Sequence, residues 1–192
     1  MCGSGRLSSS LAVCMDVAPI AGKWRLVSHS ESFEALLHLQ GDGYLKRKAA
    51  MRAALRKTIA FPTTQLLVDE TVALGIIKHT SRLTVFDTEE ICMSANPEGW
   101  CEEVANGHVC RSAAFWEKVL LSEVDSNCEG DDTTILNALV IIRISERSGF
   151  SLRIRHVYNP AWNETPMKAF LVATKLENPT DIVSAIDVWK RA

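Results

Sequence analysis

Two pairs of side chains in this sequence are of types that could do chemistry. His108 and Cys110 are two residues apart, with Cys101 close by, and His156 and Asp187 lie further along the chain. An imidazole beside a thiol suggests a base and a nucleophile, or two metal ligands with Cys101 as a third. An imidazole with a carboxylate suggests a base and its orienting partner. Neither pair is complete. No nucleophile–base–orienter set can be assembled, and no C-x-x-C spacing supports a zinc site. No catalytic residue, metal or cofactor is therefore expected, and the protein is read as a non-enzyme. The six cysteines (Cys2, Cys14, Cys92, Cys101, Cys110 and Cys128) read as free thiols, because no secretion signal accompanies them.

A third chemical feature is charge. The stretch from Tyr44 to Lys57 holds six basic residues and no acidic one, in a chain whose net charge is only -2. Such a balance does not suit a general nucleic-acid binder, so the cluster is a local feature. Its composition is that of a helix, with Tyr44, Met51 and Leu55 on one narrow stripe and cations around the rest. It reads as a lid resting on another element with its charge in water.

The elements that would position these groups follow from periodicity. Residues 1–19 are small and Ser/Gly-rich up to Pro19, and read as a flexible leader. Their apolar patch, Leu11 to Met15, is shorter than the roughly 7–15 residues of a signal-peptide core. A cytoplasmic chain is the expectation. "GKWRLVS" alternates Trp24 and Leu26 against Lys23 and Arg25, a strand with one buried face. Ser28 to Glu31 fits a capping box, with Ser32 as a second possible cap, ahead of the stripe Phe33, Leu36 and Leu37. Gly41 is a natural helix stop. The second helix is expected over Tyr44 to Lys57. Beyond Ile59 the alternation is that of strands, with turns at Ser148-Gly149 and Asn178-Pro179. Residues 94–132 read as partly loop. Two short helices cannot cover a large sheet, whereas a closed sheet has no edges and leaves a mouth that a helical pair covers. The expected fold is mostly β: a closed antiparallel up-and-down barrel with a helix-turn-helix lid after the first strand.

Three blocks carry a resemblance: "GKWRLVS" from Gly22 to Ser28, Phe33-Glu34-x-Leu36-Leu37, and Gly41-Asp42-Gly43-Tyr44-x-x-Arg47-Lys48-x-Ala50. With the closing "DVWKRA", they resemble the intracellular fatty-acid-binding proteins, a branch of the lipocalin-like (calycin) barrels. Residues 20–192 would form that barrel, with insertions near 60–75 and 94–132. The resemblance implies intracellular binding and transport of a hydrophobic, fatty-acid-like or lipid ligand inside the barrel. It implies Phe33, Leu37, Tyr44 and Met51 of the lid as ligand contacts. It also implies a lid that approaches anionic membranes through Lys46, Arg47, Arg52, Arg56 and Lys57.

The sequence departs from that family twice. The spacing from Trp24 to Phe33 is one residue longer. Where the family's Arg-x-Tyr clamps a ligand carboxylate, this chain has Asp187 and Trp189. The second cavity arginine falls on or next to His156. If Leu152 and Ile154 face in, so does His156, and Arg155 faces out. An inward Asp187 needs a partner, and His156 is the candidate. In the other register Ile186 and Val188 face in and Asp187 faces water. The ligand sites expected on the barrel are therefore His156, Asp187 and Trp189. The alternative reading is a structural or scaffold component that binds a protein partner through 94–132, where Trp100 and Trp116 could serve an interface, with Trp162 in a separate irregular stretch.

Overall fold

The computed structural model describes residues 19–62, 65–72, 77–95, 100–125 and 133–192. The expected leader, save Pro19, lies outside them, as do Cys2, Cys14 and Cys128. Ten strands form one sheet: β1 (Gly22–His29), β2 (Leu55–Ala60), β3 (Gln65–Val72), β4 (Ile77–Phe86), β5 (Cys101–Ala105), β6 (His108–Leu120), β7 (Ile135–Ser145), β8 (Phe150–Tyr158), β9 (Met167–Lys175) and β10 (Ile182–Arg191). Their order is β4-β3-β2-β1-β10-β9-β8-β7-β6-β5. The sheet closes into a barrel where β4 joins β6, Val85 opposite Ala114 and Phe86 opposite Phe115. This one contact is parallel. It is possible because β6 is long: its first residues pair with β5, leaving the same edge free further on for β4.

Between β1 and β2 stand the two lid helices, α1 (Phe33–Leu39) and α2 (Tyr44–Arg52). α1 buries Phe33, Leu36 and Leu37, the stripe its spacing predicts, and also Leu39. The capping box does not form: β1 runs through His29, and Ser32 takes the cap position without a side-chain bond. The stop is as strong as the glycine suggests. Gly41, at φ +89°, donates to His38 O and Asp42 donates to Leu37 O, the two bonds of a Schellman ending. α2 ends earlier than expected. Ala53 is extended and β2 begins at Leu55, where Leu55, Lys57 and Ile59 point inward. The helix-forming residues at its end are overruled by two antiparallel partners, β1 and β3.

The stretch 94–132, read as partly loop, is mostly regular structure over its described residues. It holds β5, β6 and α4 (Leu121–Val124). Its alternation is masked because β6 is buried on both faces. Cys110, Ser112 and Ala114 face the interior, while Ala113, Phe115 and Val119 face outward under cover. That cover comes from α3 (Glu89–Ser94), whose Cys92 packs with Ala113, Phe115, Val140 and Ile142, and from α4 with Trp162, packed on Ala138 and Val157. The expected interface tryptophans are used internally. Trp100 Nε1 donates to Cys92 O at 3.0 Å, Trp162 Nε1 donates to Asp125 Oδ2 at 2.6 Å, and Trp116 stacks on Phe61.

Candidate functional site: the barrel interior

Interior side chains follow the alternation of β8 and β10. On β8, Phe150, Leu152, Ile154 and His156 are buried, while Arg153 and Arg155 lie outside and bind Glu117. On β10, Ala185, Asp187 and Trp189 are buried, and Ile186 is exposed. Asp187 and His156 lie in one cross-strand row, separated by Ala169 of β9. They do not pair. Each has another partner, and neither partner was expected.

The partner of Asp187 is His29. Its Nδ1 donates to Asp187 Oδ1 at 2.7 Å, and both side chains are more than nine-tenths buried. Strict alternation from Trp24 and Leu26 would point Ser28 inward and His29 outward. A β-bulge prevents this. Leu26 pairs with Trp189 but Ser28 pairs with Val188, so Val27 is the extra residue. The bulge takes up one residue between Trp24 and Phe33, in the segment whose spacing is one longer than in the resembled family. It turns His29 inward, opposite Asp187. The ring then stacks on Phe33 of the lid, centroids 3.9 Å apart and planes 8° from parallel.

The partner of His156 is Lys57. Its ammonium donates to His156 Nε2 at 3.1 Å and lies 3.0 Å from Glu70 Oε1 and 4.6 Å from the centre of the Trp189 ring. β2 and β8 are separated in the sheet by β1, β10 and β9, so this contact crosses the barrel. Lys57 was assigned above to the membrane-facing lid; it is instead a buried interior residue on β2. Burial pushes the Glu70 carboxyl up, but Lys57 and then Arg143 outweigh it and hold it down to about 2. Burial, then the Lys57 ammonium, holds His156 well below its ordinary range, so the ring is neutral. An ammonium can only donate, so Nε2 is the bare nitrogen and Nδ1 carries the hydrogen. Nδ1 has no hydrogen-bond partner among the described residues.

A second ion pair lies on the β4–β7 side. Arg143 Nε donates to Glu103 Oε1 at 2.9 Å and its Nη2 to Ser81 Oγ at 3.3 Å, while His79 Nε2 lies 2.9 Å from the same hydroxyl. A cleft between β4 and β5, lined by His79, Arg82 and Glu103 among others, opens onto this group. Among the described residues the interior thus holds two cations, each with its own carboxylate, together with the Asp187–His29 pair.

The lid residues expected at the mouth divide. Phe33 and Leu37 are buried, and Met51 is half-buried against the main core. Tyr44 is exposed on α2, its ring beneath Arg47 and Lys48. α2 is fastened by Asp42, whose Oδ1 receives Lys46 Nζ at 2.5 Å and lies 3.1 Å from His108 Nε2, while His108 Nδ1 meets Ser148 Oγ at 2.8 Å. Lys46 also donates to the Asn106 carbonyl. His108 therefore ties lid to barrel. Cys110 donates to the His108 carbonyl at 3.5 Å, and burial pushes its thiol up, away from a reactive thiolate. Cys92, Cys101 and Cys110 are free thiols. Among the described residues no cluster of metal-ligand side chains is present, and no helix is long and apolar enough to cross a membrane.

No protein-family model and no curated protein matches the sequence. Solved structures do match. The Schistosoma mansoni fatty acid binding protein in complex with arachidonic acid is 13% identical, covers 92% of this chain and 98% of its own, and superposes with a TM-score of 0.62. Lipid binding protein 8 of Caenorhabditis elegans, in its apo form, is 15% identical over 91% of this chain and 96% of its own, TM-score 0.59. Echinococcus granulosus fatty-acid-binding protein 1 is 8% identical over 91% and 98%, TM-score 0.59. The chain has the fold of the fatty-acid-binding proteins, a closed β-barrel with a helical lid after its first strand.

Proposed function

We propose that this protein is a cytoplasmic, non-enzymatic carrier that holds a hydrophobic small molecule in its barrel, and that the polar end of that molecule is uncharged. The fold supplies an enclosed apolar wall, and Trp24, Ile59, Leu66, Leu139, Ile141 and Ile154 build it. The observation that carries the choice of head group is charge balance. Lys57 is matched by Glu70 and Arg143 by Glu103, and Asp187 stands where the resembled family holds a carboxylate-binding arginine. A ligand carboxylate would find no uncommitted interior cation among the described residues and would be desolvated beside Asp187. A neutral polar group meets no such cost.

The test is a fluorescence titration with two probes of equal chain length, dansylamino-undecanol and dansylamino-undecanoic acid. Tighter binding of the alcohol is expected. Tighter binding of the acid would restore an ordinary fatty-acid carrier, and no binding of either would remove the carrier reading. Transient contact with anionic membranes belongs to the same proposal, now through α2 alone. Tyr44 and Leu45 are exposed beside Arg52, while Lys46 is held by Asp42 and both Arg47 and Lys48 lie near Glu34. Arg56 is exposed, but on β2.

A second reading, a scaffold that binds a protein partner through 94–132, draws on one observation. Val104 and Val109 form an exposed apolar cross-strand pair on the β5–β6 hairpin. Pull-down followed by lipid extraction separates the two readings: a stoichiometric protein partner without lipid supports the scaffold.

A further inference from the structure

We propose that His29, held by Asp187, is a ligand-recognition residue that receives the hydrogen of a ligand hydroxyl, making an alcohol-headed lipid the preferred cargo. The inference rests on the carrier reading above and goes further by naming the chemistry of the head group and the atom that reads it.

The argument starts from hydrogen-bond inventory. Asp187 accepts from His29 Nδ1, so Nδ1 carries a hydrogen, and in the neutral ring Nε2 is left as a bare acceptor. A carboxylate behind an imidazole fixes the tautomer and the ring orientation in this way wherever the other nitrogen is to be used. Here that nitrogen is idle. His29 Nε2 is buried and has no hydrogen-bond partner, although the side chain is only 5% exposed. Buried polar atoms are nearly always satisfied, so an orphan acceptor whose ring is fixed by both a carboxylate and an aromatic stack calls for an explanation. A purely structural histidine would need neither the bulge at Val27 nor the inward Asp187. An apolar pair at these two positions would avoid the burial of a carboxylate altogether.

A complementary orphan lies next to it. Trp189 Nε1 is a donor, buried and without a partner. Trp189 is two residues from Asp187 on the same face of β10, and Asp187 is directly opposite His29. Trp189 and His29 are therefore diagonal neighbours on the inner face, with backbones about 7–8 Å apart, within reach of two ring side chains that meet one ligand group. Ala169 opposite Asp187 is the smallest side chain in that row and adds no bulk. One orphan donates and the other accepts. A hydroxyl does both at a single atom. An ether or a ketone satisfies only Trp189. A carboxylate also satisfies only Trp189, and adds a charge beside Asp187.

The experiment compares dansylamino-undecanol with its methyl ether, in which a methyl group replaces the one hydrogen that His29 would accept. Native protein is expected to bind the alcohol at least about tenfold more tightly, the scale of one buried hydrogen bond. In His29→Asn the side-chain amide still donates to Asp187, but nothing replaces Nε2, and the preference is expected to vanish while the ether binds as before. Equal affinity of native protein for alcohol and ether would overturn this inference and leave the carrier reading intact. Failure to bind either probe, or the carboxylic acid analogue, would overturn both. A preference that survives in His29→Asn would place the contact elsewhere and reject His29. Should that variant not fold, the native comparison still decides, and Trp189→Phe, which removes the donor together with part of the ring, must weaken alcohol and ether alike.

Discussion

Lys57 is the residue on which the interior turns. It spans the barrel, neutralises Glu70 and is the only partner of His156 Nε2 among the described residues. Lys57→Met would leave a half-buried carboxylate without its nearest cation, a change that costs up to about 3 kcal/mol. The urea midpoint should fall accordingly, and Lys57→Met with Glu70→Leu should regain most of the loss. Acid should act in two stages with the same sign. His156 is neutral in the fold but takes a proton in the unfolded chain below about pH 6.5, so stability is full above that pH and declines as pH falls. Glu70, lowered to about 2 from 4.5, adds a second decline between those two values. His156→Gln keeps an acceptor for Lys57 and should flatten only the first stage in a pH series of urea melts; an unchanged slope would assign it to another histidine. Alternation placed His156 inside; for Asp187 and Trp189 it left two registers open, and only the resemblance of the closing strand favoured the inward one that the barrel adopts. It could not find His29, because a bulge changes parity without a mark in composition, nor Lys57, because its neighbours favour a helix.

At the level of elements, the lid shows how a local signal and a tertiary one divide a segment. α1 was legible because stripe and glycine stop agree with its packing. α2 buries no residue completely; half-buried Ala50 and Met51 against the main core and the contacts of Lys46 with Asp42 and of Lys48 with Glu34 hold it, and it stops where β2 can pair. The main fastening is Asp42, a buried carboxylate that takes Lys46 and faces His108 of the barrel. Asp42→Ala should release α2 without unfolding the barrel. Amide exchange over Lys46 to Arg52 should quicken, the unfolding free energy from urea melts should change by no more than about 1 kcal/mol, and the dansylamino-undecanol association rate should rise. Exchange unchanged at α2 would show that packing against α1 alone fixes the lid. The β6 strand gives the opposite lesson. Its length and its burial on both faces are set by what packs over it, and those covering elements come from distant segments that no local window contains.

At the scale of the molecule, the barrel has two cores that do different work. The interior core carries the candidate site and includes the fully buried Trp24, whose Nε1 donates to Ile20 O at 2.9 Å and whose ring lies under Arg191. The outer clusters glue α3, α4 and Trp162 to β6, β7 and β8, and contribute no side chain to the row that holds His29, Asp187 and His156. If the interior binds the ligand, the outside should be separable from it by mutation. Phe115 is the test position: it is completely buried, points outward, packs with Cys92 and Val140, and lies under the Arg153 guanidinium, 5.2 Å from its ring centre. Phe115→Ala should lower stability by about 3–5 kcal/mol, as loss of a buried aromatic ring does. Below its unfolding transition it should bind dansylamino-undecanol with an affinity within about twofold of native, a difference of roughly 0.4 kcal/mol. Trp24→Ala should cost a similar amount in stability and also weaken the probe, because its cavity opens into the interior core. The comparison needs urea melts and probe titrations on the same preparations. Equal loss of affinity in both variants would mean that the outer clusters and the interior form one cooperative unit, and that the ligand reads the whole barrel rather than its inner wall.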